Sequence, residues 1–150
     1  MIRNAVAIWK GSAGVGAGEG SVSTSSGVIN NALYSFGSGT GSEPCTSPSE
    51  MLAAAVASCM SLMVASEMAK AGLKDEYVKT ESQLTLEENK GRWDITEIRL
   101  NVVASVPEFH VKKFRHIAES AKAKCPIARA LKLPIKMMVK EELEKNIVAA

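Results

Sequence analysis

The sequence lacks a strong excess of either charge. Its 150 residues carry 18 Lys and Arg against 16 Asp and Glu, a formal net charge of +2, and the basic residues form no block. Binding to nucleic acid or to an anionic membrane surface depends on clustered cations. We therefore expect neither nucleic acid nor a membrane among the partners of this chain.

Long uninterrupted apolar runs are also missing. The longest apolar-rich run, Met51 to Ala65, is interrupted by Ser58 and Ser61. It falls short of the roughly 20 residues that a membrane span needs. Arg3 is followed by a short strand-like run rather than by the apolar core of a secretory signal. These features predict a cytoplasmic protein whose apolar run is a buried helix.

Cysteine is scarce, since only Cys45, Cys59 and Cys125 occur, at wide spacing. An odd number of distant cysteines makes a poor disulfide framework, and cytoplasmic thiols stay reduced unless their oxidation is part of a cycle. H-E-x-x-H, C-x-x-C, G-x-S-x-G and paired-carboxylate motifs are absent. His110 and His116 fall on opposite sides of a predicted helix, so the sequence predicts no metal site.

The length fits one domain, 1–150, and the composition, 46% hydrophobic and 23% charged, is typical of a soluble protein. Short strands are predicted at Ala5 to Trp9, Ser21 to Ser25 and Gly27 to Asn30. Two Gly-rich segments, Gly11 to Gly20 and Tyr34 to Thr46, are predicted to be loops. The first does not fit a phosphate-binding loop, because no G-K-[ST] follows it.

A long helix is predicted to begin after Ser47. Ser47 suits the N-cap, Pro48 the first helical position and Glu50 the reciprocal position of a capping box, and Gly72 is a stop signal after Ala71. The first four turns are apolar on nearly all sides. That pattern is typical of a helix at the centre of a domain or of a dimer.

The second half of the sequence alternates between strand and helix patterns. Period-two alternation on both sides of 89–91 predicts a hairpin, with a phase shift near Glu97 that indicates a bulge. A second helix is predicted from Pro107 or Glu108 to about Lys124, a short helix over 125–131, and a last strand over 135–139. The order of elements predicts an α+β fold.

Two cysteines are candidate reactive groups. Cys59 lies about three turns into the apolar helix, so it is either a small core residue or a thiol activated by donors from other segments. Cys125 fits the N-cap of the short helix that begins at Pro126, where backbone N–H groups, with Lys122 and Lys124, favour a thiolate. A simple cap-site cysteine has the same pattern. Cys45 is assigned no role.

Three sequence stretches resemble one protein family. Residues 20–30 read Gly-Ser-Val-Ser-Thr-Ser-Ser-Gly-Val-Ile-Asn and resemble its N-terminal strands. Residues 46–59 read Thr-Ser-Pro-Ser-Glu-Met-Leu-Ala-Ala-Ala-Val-Ala-Ser-Cys and resemble its helix motif T-N-P-E-E-L-x-x-A-x-x-A-x-C. Residues 106–126, which end in Cys-Pro, resemble its second cysteine motif. The family is that of osmotically induced protein C and the organic hydroperoxide resistance proteins (OsmC/Ohr), and the chain is more similar to the OsmC branch.

The resemblance implies an intertwined homodimer with antiparallel sheets around two long central helices. It implies that Cys59 is the peroxidatic thiolate, which an organic hydroperoxide oxidises to a sulfenic acid, and that Cys125 condenses with it to a disulfide. A dithiol reductant of the lipoyl type would reopen that disulfide, and no metal or organic prosthetic group is required. An apolar pocket at the dimer interface would favour bulky hydroperoxides over hydrogen peroxide.

The chain departs from the family at the charges that hold the peroxidatic cysteine as a thiolate. Residues 16–20 read Gly-Ala-Gly-Glu-Gly where the family usually has an arginine, and a second arginine is missing near Gly39. Ser49 stands at the position of the family's glutamate, with Glu50 beside it. The Arg–Glu pair is therefore absent as a unit, and one opposite charge close by shifts a pKa by about one to three units.

Several interpretations stay open at this point. Another cation replaces the arginine, with Arg3, Lys10 and Arg129 as candidates, or the peroxidase activity is altered. A non-enzymatic dimeric protein that binds an apolar or thiol-reactive ligand has the same sequence features. So has an enzyme with another thiol-redox activity on Cys59 and Cys125.

Overall fold

The computed structural model describes residues 1–11, 18–35, 44–73, 77–106 and 110–142. The chain divides into two compact units, Met1–Leu52 and Ala53–Ala150. Helices and sheets are both present, and a single domain over 1–150 stays a prediction. The Gly-rich segments fall partly at 12–17 and 36–43, outside the described residues.

The first unit contains a three-stranded antiparallel sheet. Strands β1 (Ala5–Gly11), β2 (Gly18–Thr24) and β3 (Ala32–Tyr34) follow one another in this order across the sheet. The predicted strand at Gly27 to Asn30 is wrong, because this segment is a turn. Gly27 adopts a φ of 74° in the left-handed region, which a strand does not use.

Helix α1 (Pro48–Lys70) begins and ends as the sequence predicts. At its start, the Glu50 N–H donates to Ser47 Oγ at 3.2 Å and the Ser47 N–H donates to Glu50 Oε2 at 3.1 Å, which confirms the capping box. At its end, Gly72 adopts a φ of 73° and the Leu73 N–H donates to the Met68 carbonyl at 3.0 Å. This glycine therefore stops the helix through a left-handed C-cap.

Within the part of the chain that the structure describes, only one face of α1 is buried. Its buried residues recur every three or four positions, whereas Leu62 on another face is 70% exposed. The helix is therefore not enclosed on all sides by its own chain. Among the described residues, α1 is also a helix that is long and apolar enough to cross a membrane. That is weak evidence for a span, since core helices of soluble proteins meet the same criterion.

The second unit contains a three-stranded mixed sheet. Strand β4 (Val78–Asn89) pairs antiparallel with β5 (Arg92–Ser105) through a turn at Lys90 and Gly91, which both have positive φ. The register shifts after Thr85, because Thr85 faces Glu97 and Leu86 faces Ile95. Both the hairpin and the bulge are confirmed.

The last strand differs from the predicted antiparallel arrangement. Strand β6 (Ile135–Glu142) pairs parallel with β5, with Ile98 opposite Ile135. Helices α2 (Val111–Lys124) and α3 (Pro126–Ala130) form the connection, and a parallel pair requires such a crossover. The predicted start of α2 at Pro107 or Glu108 lies outside the described residues, and the described helix begins after His110.

The core of the second unit lies between the sheet and two helices. Its fully buried side chains come from α1, β5 and α2: Val56, Met60, Val64, Met68, Ile98, Leu100, Val102, Phe114, Ala118 and Ala121. Complete burial of one such aliphatic side chain stabilises a fold by roughly 1.5–3 kcal/mol. This packing fixes the middle of α1, where Cys59 lies, and the end of α2, where Cys125 follows.

Candidate active site: the Cys59–Cys125 thiol pair

The structure brings together the two cysteines that the sequence singles out. Cys125 is completely buried and Cys59 is half-buried, and both are free thiols. Cys125 Sγ lies 3.1 Å from Cys59 Sγ, although 66 positions separate the two residues. A disulfide has an S–S length of about 2.05 Å, so the sulfurs must approach by only ~1 Å to bond.

Cys125 reaches Cys59 because the chain turns sharply at the end of α2. The residue before a proline is disfavoured in the helical conformation, and Cys125, which precedes Pro126, has an extended φ of −62° and ψ of 116°. Its backbone N–H still donates to the Ala121 carbonyl at 2.9 Å, closing the last turn of α2. The Cys-Pro sequence therefore ends one helix and starts the next at the reactive thiol.

The first turn of α3 donates a backbone hydrogen bond to Cys59 rather than to Cys125. Cys125 is the N-cap residue, as predicted, but its side chain makes no capping hydrogen bond. The backbone N–H of Ile127 instead donates to Cys59. The Cys125 thiol contacts Cys59 Sγ, and its stabilisation as a thiolate stays a prediction.

The pKa of the Cys59 thiol is raised above its ordinary value. Burial is the largest cause, and the hydrogen bond with Cys125 raises the pKa further, whereas the Ile127 N–H lowers it. The two sulfur atoms share one hydrogen bond, with Cys125 as donor in the structure. Donation from Cys125 to Cys59 alone would favour a Cys59 thiolate. Because either thiol hydrogen can rotate into the bond, burial determines that the pKa of Cys59 is raised.

The described residues of the second unit supply no replacement for the family arginine at Cys59. No cation there contributes to the shift of its pKa, and this includes Arg129 in α3. Lys122 and Lys124, which the sequence places beside Cys125, bind carboxylates instead. Lys122 Nζ lies 3.1 Å from Glu119 and Lys124 Nζ lies 2.5 Å from Glu67.

Glu67 is a buried carboxylate on α1 that the sequence analysis did not single out. It is only 9% exposed and its carboxylate binds both Lys70 and Lys124. Hydrogen bonds from Lys124 first and Lys70 second lower the pKa of Glu67 to about 2. The sequence feature that could have identified Glu67 is its position, because it follows the buried Met60 by seven residues and therefore lies on the same face of α1.

Cys45 lies in the first unit, where its Sγ is 3.3 Å from Ser35 Oγ.

In the part of the chain that the structure describes, no group of three or more His, Cys, Asp or Glu residues is arranged to hold a metal. A groove of about 510 Å³ lies on the β4–β5–β6 sheet, lined by residues such as Glu81, Arg99 and Lys136. Neither Cys59 nor Cys125 lines this groove.

Comparison with known proteins identifies the class. Residues 39–140, which include both cysteines of the pair, match the OsmC-like protein family, and the chain belongs to this family. It is 33% identical over 127 residues to Peroxiredoxin OsmC of Escherichia coli strain K12, covering 85% of this chain and 87% of that protein.

Solved structures confirm the α+β fold. An OsmC-like protein of unknown function from Vibrio cholerae has a TM-score of 0.74 at 20% identity, covering 93% of this chain and 99% of that chain. The organic hydroperoxide resistance protein OhrB of Bacillus subtilis has a TM-score of 0.65 at 17% identity, covering 91% and 98%. At these identities the likeness establishes the fold alone.

Proposed function

We propose that this chain is a thiol peroxidase that reduces organic hydroperoxides to alcohols. The distance of 3.1 Å between Cys59 Sγ and Cys125 Sγ carries the proposal, because two thiols this close can alternate between dithiol and disulfide. The names of its relatives, a peroxiredoxin and an organic hydroperoxide resistance protein, support the substrate class.

In the first step the Cys59 thiolate attacks the terminal oxygen of the hydroperoxide. The S–O bond forms as the O–O bond breaks, and the alkoxide leaves and takes a proton to become the alcohol. Cys59 becomes a sulfenic acid, so sulfur loses two electrons and the peroxide gains them. The Ile127 N–H stabilises the attacking thiolate, because it donates to Cys59.

In the second step Cys125 closes the disulfide. Its sulfur attacks the sulfenic sulfur, the S–S bond replaces the S–O bond, and the hydroxyl leaves as water with the Cys125 proton. A dithiol of the lipoyl type then exchanges with the disulfide, which restores both thiols and leaves the reductant as its own disulfide. Thiols supply all the electrons, so the cycle needs neither a metal nor an organic prosthetic group.

A second candidate function is favoured by the raised pKa of Cys59. Burial keeps this thiol protonated, and no described cation opposes that effect. A protonated Cys59 suits a non-enzymatic protein that holds an apolar ligand. Capture of a thiol-reactive ligand, or a thiol-redox reaction with another electrophile, would use the smaller thiolate fraction of Cys59. The thiolate is the nucleophile towards every electrophile, so the reaction rates with peroxides and with other electrophiles distinguish these candidates, and non-covalent binding gives no reaction.

Peroxide consumption tests the proposed activity. With dihydrolipoamide as reductant, we expect this protein to consume cumene hydroperoxide at least about tenfold faster than hydrogen peroxide. Burial of the cumyl group needs to lower the barrier by only about 1.4 kcal/mol to give this factor. Mixtures without protein are the control. Equal rates for the two peroxides would contradict the substrate class, and no consumption would favour the second candidate.

We also propose that the protein is a homodimer in which α1 packs against the α1 of a second copy. The apolar composition of α1 and the 70% exposure of Leu62 support this arrangement. Sedimentation equilibrium should give about twice the chain mass of 15.9 kDa. Leu62→Glu should shift the protein to monomer by placing a charge in that contact, whereas Leu86→Glu, at a residue 40% exposed on β4, should not. A wild-type monomer would contradict the proposal.

The proposed location is the cytoplasm. A catalytic thiol pair requires surroundings that return the disulfide to the dithiol, and cytoplasmic reductants do so.

A further inference from the structure

Glu67 connects α1 to the end of α2 through charged contacts, and the contacts of Glu67 with Lys124 and Ser120 are called the tie. Its Oε2 atom lies 2.5 Å from Lys124 Nζ and accepts a hydrogen bond from Ser120 Oγ at 3.5 Å, both on α2. Its Oε1 atom lies 2.7 Å from Lys70 Nζ, on its own helix. Both carboxylate oxygens are therefore occupied, and only the Oε2 contacts cross between helices.

The tie lies directly beside the thiol pair in sequence. Lys124 is the residue before Cys125, and Ile127 follows two positions later. On α1, Glu67 follows Cys59 by eight residues, or about 12 Å along the helix axis. A shift of Lys124 relative to α1 therefore moves Cys125 and the α3 turn relative to Cys59.

Stability alone is a poor explanation for a carboxylate at this position. Glu67 is 9% exposed on the face of α1 that also carries the fully buried Val64 and Met68. The Lys124 and Lys70 side chains that bind it are 53% and 66% exposed. Ion pairs with such exposed partners contribute little to stability, so we look to the register that the contacts impose between α1 and α2. Here the register in question is that of the Cys-Pro turn.

We infer that Glu67 is a positioning residue that, through Lys124, places Cys125 Sγ and the Ile127 N–H against Cys59 Sγ. Its role in catalysis rests on the proposed peroxidase function, because it would act on disulfide closure. The geometry that it maintains can be measured without any peroxide.

The charge state of the tie sets its pH range. Lys124 and Lys70 lower the pKa of Glu67 to about 2, from an ordinary value near 4.5. The tie is therefore complete above about pH 4.5 and is lost as the pH falls towards 2. Lys70 on α1 and Lys124 and Ser120 on α2 are the described polar groups that face this carboxylate. The effect of Glu67→Gln should thus be constant from pH 5 to pH 8.

Two variants break the tie and two matched variants leave it in place. Glu67→Gln removes the charge, and Lys124→Met removes the cross-helix cation while Lys70 still neutralises Glu67. Lys70→Met removes the partner on the same helix, and Glu119→Gln removes the carboxylate of the Glu119–Lys122 pair on α2. Circular dichroism selects folded variants, and Lys124→Met serves if Glu67→Gln does not fold.

The readout is the equilibrium constant of the Cys59–Cys125 disulfide against dithiothreitol, after oxidation with diamide. We expect both tie-breaking variants to lower it by about tenfold, since loss of alignment near 1 Å can cost more than this in an oriented reaction. Lys70→Met and Glu119→Gln should stay within about twofold of wild type. Folded Glu67→Gln and Lys124→Met proteins with the wild-type constant would overturn the inference.

A second readout separates this inference from the proposed function. Phenylarsine oxide forms two As–S bonds to closely spaced thiols and releases water, so its affinity reports their alignment without oxidation. If the wild type forms no disulfide, the peroxidase cycle fails, and arsenical affinity alone decides the role of Glu67. Weaker binding by about tenfold in the tie-breaking variants supports the inference, and unchanged binding overturns it.

Discussion

Replacement of Cys59 by serine is expected to lower the turnover rate of organic hydroperoxides by about a thousandfold or more. Serine keeps the size of the side chain, but its hydroxyl does not ionise near neutral pH and is a poor nucleophile towards the O–O bond. Removal of the one covalent nucleophile typically removes nearly all chemical catalysis. The rate of cumene hydroperoxide consumption with dihydrolipoamide measures the effect.

Cys45→Ser is the matched control for this variant. Cys45 is a half-buried free thiol, as Cys59 is, but its Sγ contacts Ser35 Oγ. The control should therefore turn over at the wild-type rate. Turnover by Cys59→Ser at a rate comparable to wild type would contradict the assignment of Cys59 as the peroxidatic residue.

Cys125→Ser is expected to consume about one equivalent of hydroperoxide per chain and then stall with dihydrolipoamide as reductant. Cys59 is still oxidised to the sulfenic acid, but the sulfur that displaces its hydroxyl is gone. Labelling with dimedone followed by mass spectrometry detects the sulfenic acid at Cys59.

Two outcomes would contradict the role of Cys125. Sustained turnover at the wild-type rate would show that the reductant attacks the Cys59 sulfenic acid directly. Failure to form any sulfenic acid would show that Cys125 is needed for the first step. A burst of one equivalent followed by a stall distinguishes the proposed role of Cys125 from sustained turnover and from failure to form the sulfenic acid.

The element boundaries that were predictable from the sequence depend on local chemistry. The capping box of Ser47 and Glu50, the left-handed Gly72 and the turn at Lys90 and Gly91 involve contacts within a few residues. The pattern of alternation likewise revealed the bulge near Glu97. Neighbouring residues suffice to determine such features, so a single sequence contains them.

Two features were missed, one that depends on a local glycine conformation and one that depends on contacts between distant segments. Gly27 to Asn30 has strand-like composition, but the left-handed Gly27 places the third strand later, at Ala32. The parallel pairing of β5 with β6 follows from the crossover through α2 and α3, and strand composition does not reveal it.

The candidate site was predictable in part for the same reason. Its two cysteines were visible as Cys-containing helix motifs, but the donor to Cys59 is a backbone N–H from Ile127, which no side-chain pattern reveals. Glu67 joins Lys124 across 57 positions, and the only local trace is a carboxylate on an apolar helix face. The chemistry of the thiols was thus foreseeable and their supporting contacts were not.

Peptide mapping of the reduced protein after one equivalent of cumene hydroperoxide tests the central claim most directly. The proposed cycle predicts rapid and stoichiometric formation of a disulfide between the peptides that contain Cys59 and Cys125, with Cys45 left as a free thiol. Persistence of both Cys59 and Cys125 as free thiols for minutes would contradict it. That result would agree with the raised pKa of the half-buried Cys59 and would favour a ligand-binding protein.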